Sequence, residues 1–203
     1  PGRKMPSRHG RPPAPLVAGG LMVLQGLDEV AAVSAYNGRT VWTRALEGVG
    51  SAWDSEPKVA GVAASGSGIC TDGKAVYAVW RDRCLRLDLA TGRTLGEFKV
   101  PAGEAGETAE WGCLACADGL LLGSRALPKS KRDRYASASS SLFALDPGTG
   151  ALTWAHRAAH AIRHSAGAAG GGRVFLIDRP SPAPRDKSAK DGQPPAHPLG
   201  TLL

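Results

Sequence analysis

The chain has 203 residues, 42% of them hydrophobic and 21% charged, with a formal net charge of +7 and four cysteines. That length admits one domain with a sizeable core. Four cysteines do not compose the dense disulfide framework of a small secreted scaffold, and no apolar run is long enough to cross a bilayer as a helix.

Residues 1–14 are an irregular basic lead-in, rich in Pro and Arg and without the apolar run of a signal peptide. A first unit spans about 15–47. It opens with Val17-Ala18-Gly19-Gly20-Leu21-Met22-Val23-Leu24, two apolar segments about a glycine turn, and continues with Ala32-Val33-Ser34-Ala35-Tyr36-Asn37-Gly38-Arg39-Thr40-Val41-Trp42. Residues 48–67 connect it to the next unit, with a short strand expected at Lys58–Ala63. The second unit, 68–100, carries the turn Cys70-Thr71-Asp72-Gly73 and then Arg86-Leu87-Asp88-Leu89-Ala90-Thr91-Gly92-Arg93-Thr94-Leu95-Gly96. An acidic loop with Glu104, Glu107 and Glu110 fills 101–111. The third unit, 112–159, is split by a polar insert, Pro128–Ser140. Residues 160–179 read as the incomplete start of a fourth unit, and 180–203 as a disordered Pro-, Ala- and Lys-rich tail. No amphipathic helical stretch of useful length appears.

The third unit shows what each copy means. Leu142 to Asp146 alternates as a two-faced strand. Asp146-Pro147-Gly148-Thr149-Gly150 is turn chemistry, because Asp and Thr bond the local backbone, Pro fixes φ and Gly accepts positive φ. Ala151-Leu152-Thr153-Trp154 begins the return strand, which makes a β-hairpin. The small Ala32 and Ala144 on one strand and the large Trp42 and Trp154 on the next suggest a socket and its plug, with the buried indole N–H seeking a carbonyl. The glycines of the opening turns, Gly20, Gly73, Gly119 and Gly172, stand 53, 46 and 53 residues apart, and the hairpin glycines Gly38, Gly92 and Gly150 stand 54 and 58 apart. A period near fifty with four short strands per unit predicts an all-β chain of about three to four four-stranded blades, a partial β-propeller.

The spacing Ala-x-(Asp/Ser)-x-x-x-Gly-x-x-x-Trp resembles the tryptophan-docking repeat of the quinoprotein-like β-propellers, a family of pyrroloquinoline-quinone (PQQ) dehydrogenases and non-enzymatic BamB-like proteins. The resemblance covers about 15–179. Units one and three match well, apart from Ser34 in place of Asp and Ala151 in place of a basic residue. The second keeps Asp88, Gly92 and Arg93 but has Arg86 where Ala is expected and Gly96 where Trp is expected, so it should dock less tightly or pass the plug elsewhere. The resemblance implies a piece of a larger ring serving as a non-catalytic binding or protein-interaction scaffold, whose partners are protein or further blades. It also suggests a periplasmic or cell-envelope location. The alternative is a fragment of a PQQ-dependent dehydrogenase whose active site lies in further blades; PQQ and calcium enter only there. Such enzymes commonly carry adjacent cysteines, and this sequence has none.

Other constellations offer less. The basic excess sits in the lead-in, the insert and, weakly, the tail, which reads as solvated flanks rather than a nucleic-acid or lipid surface. Cys113-x-x-Cys116 has half the spacing of a zinc or redox site, but Cys116 stands in register with Cys70 before an Asp-Gly turn, which suggests buried strand cysteines. His156, His160 and His164 would share a face on a helix, but the repeat puts them on a strand and loop. Ser65-Gly66-Ser67-Gly68 is followed by a strand, not a helix, and is neither a nucleophile elbow nor a dinucleotide loop. The three loop glutamates are expected to be solvated rather than arranged for acid–base work or calcium. No catalytic or metal-binding residue is assigned.

Overall fold

The structure, a computed structural model, describes residues 14–50, 68–104, 106–128, 138–179 and 201–202. These form strands and turns without a helix, in three antiparallel sheets. The first sheet orders β1 (Leu16–Ala18), β2 (Leu21–Gln25), β3 (Glu29–Ser34) and β4 (Thr40–Ala45). The second orders β5 (Ile69–Thr71), β6 (Ala75–Trp80), β7 (Arg83–Asp88) and β8 (Thr94–Lys99). The third contains β9 (Trp111–Ala117), β10 (Leu120–Ala126), β11 (Ala138–Leu145), β12 (Leu152–Gly170), β13 (Arg173–Asp178) and β14 (Thr201–Leu202), running from β9 at one edge to β14 at the other.

Each unit begins as a meander, since consecutive strands joined by short turns pair with one another. The hairpin between the third and fourth strands is built the same way three times. Gly38, Gly92 and Gly150 have φ of +72°, +68° and +77°, a region open to glycine at little cost. Their N–H groups donate to Ser34, Asp88 and Asp146 carbonyls. The Asp88 carboxylate accepts from the Thr91 N–H at 2.8 Å and hydroxyl at 2.6 Å. The Asp146 carboxylate accepts from Gly148, and from Thr149 twice. Ser34, shorter, accepts only at 3.3 Å from the Tyr36 N–H. Just beyond each turn the ladder slips at one place, between Ala32 and Val33, Arg86 and Leu87, and Ala144 and Leu145. A bulge at the same position sharpens the twist of every unit in the same way.

Alternation assigns each sheet a forward face, turned to the next sheet, and a rear face. The forward face of the first sheet and the rear face of the second share a core of Val23, Val30, Ala32, Trp42, Val76, Ala78, Leu85 and Leu87. The forward face of the second and the rear face of the third share another, with Tyr77, Cys84, Phe98, Leu114, Leu121, Phe143 and Leu145.

The expected fourth unit does not stand as a separate sheet. Residues 160–179 continue the third: β12 runs 19 residues, pairs with β11 up to Arg163 and with β13 from Ile162 onward. A two-strand start cannot satisfy its own edges, so its backbone groups are taken up by the neighbouring ladder. Where β12 leaves register, the Asp178 carboxylate accepts the N–H groups of Ala159, His160 and Ala161 at 2.6, 3.0 and 2.9 Å. The hairpin curls over the forward face, and Leu176 and Val174 pack with Leu142, Ile162, Trp154 and Ala158. Of the tail expected to be disordered, Thr201–Leu202 is described, and it pairs with β13. The lead-in up to residue 13, most of the 48–67 connection including its expected strand, and the insert at 129–137 lie outside the described residues.

Candidate functional site

The repeat residues meet at the seams between sheets. Ala32 and Trp42 are cross-strand partners on β3 and β4, and Ala32 is fully buried. The small residue leaves the large one room to lean forward. The Trp42 indole N–H donates to the Leu89 carbonyl of the second hairpin at 2.8 Å. Its ring covers Gly92 so closely that a Cβ there would stand 2.6 Å from it. Trp42 thus reaches across the seam and lies against the second hairpin.

In the second unit the pair is inverted. Arg86 and Gly96 are the cross-strand partners, so the bulk sits on β7 and none on β8. The plug passes to Phe98, two residues along β8 and therefore on the same face. A Cβ on Gly150 of the third hairpin would stand 2.6 Å from the Phe98 ring. Phe98 also stacks with Tyr77 at 6.4 Å between centroids. Sequence reasoning left the recipient of the plug open; the signal was an apolar residue two positions after the missing Trp. Arg86 lies close enough to help hold the carboxyls of Asp72 and Asp146 below the usual carboxylate range, behind the local hydrogen bonds that dominate both.

In the third unit Ala144 and Trp154 pair as expected, but Trp154 meets no further hairpin glycine. It lines a cavity of about 300 Å³ under the curled β12–β13 hairpin, together with Asp118, Leu142, His156, Arg173 and Leu176. The Asp118 carboxylate accepts the Gly172 N–H at 2.7 Å, which ties the hairpin to the first turn of its sheet. His156 Nε2 is buried and has no hydrogen-bond partner among the described residues. A second cavity, of about 230 Å³, is lined by Cys113, Leu142, Ile162, His164 and Phe175. At its wall a polar chain runs across the sheet. Ser139 donates to Ser124 at 2.8 Å, Ser124 accepts the Cys113 N–H at 2.8 Å, and His164 Nε2 lies 2.6 Å from the Ser139 oxygen. With the Ser139 proton committed to Ser124, the imidazole N–H is the donor in the last bond. Ser139 and Ser124 are fully buried, so this chain satisfies buried hydroxyls; it is not an activated nucleophile open to substrate.

The three histidines do not converge. His156 faces the first cavity, His164 the second, and His160 sits on the irregular stretch of β12 where its N–H meets Asp178. Cys113 and Cys116 also part company: three residues along β9 puts them on opposite faces. Cys113 lies beside Ser124 at 3.2 Å. Cys116 faces the second sheet, where its sulfur stands 3.3 Å from that of Cys70. The register seen in the sequence becomes a contact between sheets. Its hydrogen bond to Cys116, and then burial, push the Cys70 thiol up, and burial does the same to Cys84 and Cys113.

The acidic loop is not simply solvated. Glu107 pairs with Arg125 at 3.2 Å, both side chains largely buried, and Arg125 also donates to the Thr108 carbonyl at 2.6 Å and to that of Pro101. Glu104 pairs with Arg157. A single Arg ending the apolar strand Leu120–Ala126 beside an acidic loop was the missed signal. Among the described residues no group of three His, Cys, Asp or Glu side chains is placed to hold a metal ion.

No protein-family model matches the chain, and no curated protein is significantly similar to it in sequence. Solved structures do match. The WD40 repeats of RRP9 superpose with a TM-score of 0.54 at 13% identity, over 87% of this chain and 48% of that one. The fold is that of a β-propeller. The quinohemoprotein alcohol dehydrogenase of Comamonas testosteroni matches with a TM-score of 0.46 at 16% identity, over 77% of this chain and 23% of the other. BamB of Moraxella catarrhalis matches at 0.42 and 17%, over 79% and 43%. Solved structures similar to this chain thus include a quinoprotein dehydrogenase and BamB. The chain spans less than half the length of each of these three. Propellers both catalyse and bind, and none of the three similarities assigns this chain a role.

Proposed function

We propose that the chain is a propeller segment acting as a non-catalytic scaffold, which binds a further β-sheet through the rear face of its first sheet. One contrast carries this reading. Gly92 and Gly150 are covered by the aromatic of the sheet before them, whereas among the described residues a Cβ on Gly38 would meet nothing within 4 Å. The first socket is built and unfilled. Around it the rear face is apolar. Val17, Met22 and Val33 are partners across three strands, and Val17 is 67% exposed. Leu24 and Ala31 extend the row, and none of the five belongs to the core beneath. The occupant such a face fits is the forward face of another four-stranded unit carrying an aromatic at the Trp42 or Phe98 position, from the same chain or a separate one.

Sedimentation of the purified chain tests the reading. Left uncovered, the face should drive concentration-dependent association that Val33→Lys disperses while Tm is retained. A strictly monomeric protein, or association untouched by Val33→Lys, would count against it. Calcium-dependent alcohol oxidation by the chain after incubation with PQQ would overturn the non-catalytic part and restore the dehydrogenase alternative.

A further inference from the structure

The two seams differ in how they are held. The first has the Trp42 indole donating to a carbonyl across the gap; the second has Phe98, which has no donor to offer. At the second seam the innermost strands β5 and β9 approach each other, and there Cys70 and Cys116 point at one another with sulfurs 3.3 Å apart. Each stands three residues before the Gly of its Asp-Gly turn, so the same step of the repeat places both. Both thiols are free. Cys70 is buried and Cys116 is partly exposed, which gives the pair the asymmetry of an outer thiol that a small reagent can reach and an inner one that only its partner can.

We propose that Cys70 and Cys116 are a disulfide-forming pair that joins the second and third sheets covalently, with a low-molecular-weight disulfide such as oxidised glutathione as the oxidant. The Cys116 thiolate attacks one sulfur of the reagent, forming a mixed disulfide and expelling one thiolate. The Cys70 thiol, as it loses its proton, attacks the Cys116 sulfur, forms the Cys70–Cys116 bond and expels the second thiolate. One reagent disulfide is reduced to two thiols, and the two protein thiols are oxidised to one disulfide. Cys84 is fully buried deeper on the same forward face, and Cys113 lies on the far side of β9, so neither competes for the outer position. The bond closes the loop between 70 and 116 and ties together the seam that lacks an indole anchor, so the oxidised form should resist unfolding more than the reduced one.

The folded chain, incubated with oxidised glutathione, quenched by acid and then unfolded, should show its reactive thiols fall from four to two and its mass fall by two hydrogen atoms. Tryptic mapping should then join the peptide 59–74, which holds Cys70, to the peptide 100–125, which holds Cys113 and Cys116. Cys116→Ser should abolish that linkage and Cys113→Ser should leave it, and Tm should rise on oxidation in the wild type only. A linkage within 100–125, a linkage to the peptide 84–86, a stable glutathione adduct without closure, or four thiols still free after prolonged incubation would each overturn the assignment. Should Cys116→Ser fail to fold, alkylation kinetics of the wild type decide. Cys116 is to react before Cys70, and its blockage is to prevent closure; reaction of Cys70 first would refute the proposed order.

Discussion

Gly38, Gly92 and Trp42 allow the seam to be measured rather than described. Gly38→Ala and Gly92→Ala place the same Cβ on the same kind of backbone, with φ of +72° and +68°. Each should incur the left-handed penalty of an L residue, about 1–2 kcal/mol. Only at Gly92 does the new atom meet anything: the Trp42 ring at 2.6 Å, a contact real Cβ atoms do not make. Overpacking of that kind adds about 1–3 kcal/mol, so Gly92→Ala should cost roughly twice what Gly38→Ala does. Trp42→Ala empties a site only 8% exposed and removes a bond to a carbonyl, which sets its cost at about 3–5 kcal/mol. In the double variant the clash is gone and only the backbone penalty of Gly92→Ala remains, so the two costs should fall short of additivity by about 1–3 kcal/mol. Urea unfolding of the four proteins, with Gly38→Ala as the fifth, gives every number from shifts in midpoint at constant m. Equal costs at Gly38 and Gly92, or additivity of Trp42→Ala with Gly92→Ala, would refute the plug-and-socket account.

Two further outcomes follow from polar groups held by several hydrogen bonds. Arg125→Met should destabilise by about 3–5 kcal/mol, because it leaves the Glu107 carboxylate uncompensated and the Thr108 and Pro101 carbonyls without their donor; cleavage within 101–110 by a protease should accelerate in step, and a loop that stays protected would contradict its anchoring role. Asp72 gives a pH dependence of definite sign. Burial alone would raise its carboxyl, but the N–H groups of Ala75 and Lys74 and the Tyr77 hydroxyl outweigh it and hold the group below its ordinary value. Its contribution is therefore present above the unfolded value of about 3.9 and is lost as pH falls through the lower folded one. Tyr77 shifts the other way, raised by burial and then by its bond to Asp72; its contribution is present below about 10 and is lost as pH rises through the higher folded value. Asp72→Asn should flatten the acid limb of urea midpoint against pH, and Tyr77→Phe the alkaline limb, with unchanged slopes in either variant as the contrary result.

What was legible in the sequence was what each unit does to itself. The turns at Gly38, Gly92 and Gly150, the pairing of Ala32 with Trp42 and Ala144 with Trp154, and the division into strands all follow from local chemistry with a period of two, and the structure keeps them. What was not legible was what one unit does to the next. Phe98 is not legible as the counterpart of Trp42 because the repeat pattern fixes an offset from the hairpin glycine, while the sheet enforces only a face. A side chain can move two places along β8 without leaving that face, provided bulk is moved off its cross-strand partner line, as Arg86 and Gly96 show. Arg125 was missed for a related reason: its partners lie on a loop that no periodicity places.

The same distinction explains why the sequence of 160–179 predicts a fourth unit while the structure places it in the third sheet. Its residues carry the local signals of a new start, a glycine turn between two alternating segments, and the structure honours those signals by making the β12–β13 hairpin. Local pattern does not decide which ladder a hairpin joins. That depends on the nearest edge with unpaired N–H and C=O groups, and here the edge is the continuation of β12 itself, bent about the Asp178 carboxylate. The curl places Val174 and Leu176 over Trp154, so the apolar forward face is covered from within, while no described residue covers the rear face at Gly38. The asymmetry between a closed end and an open one makes the Gly38 face, and not the Trp154 face, the surface at which a partner sheet should be sought.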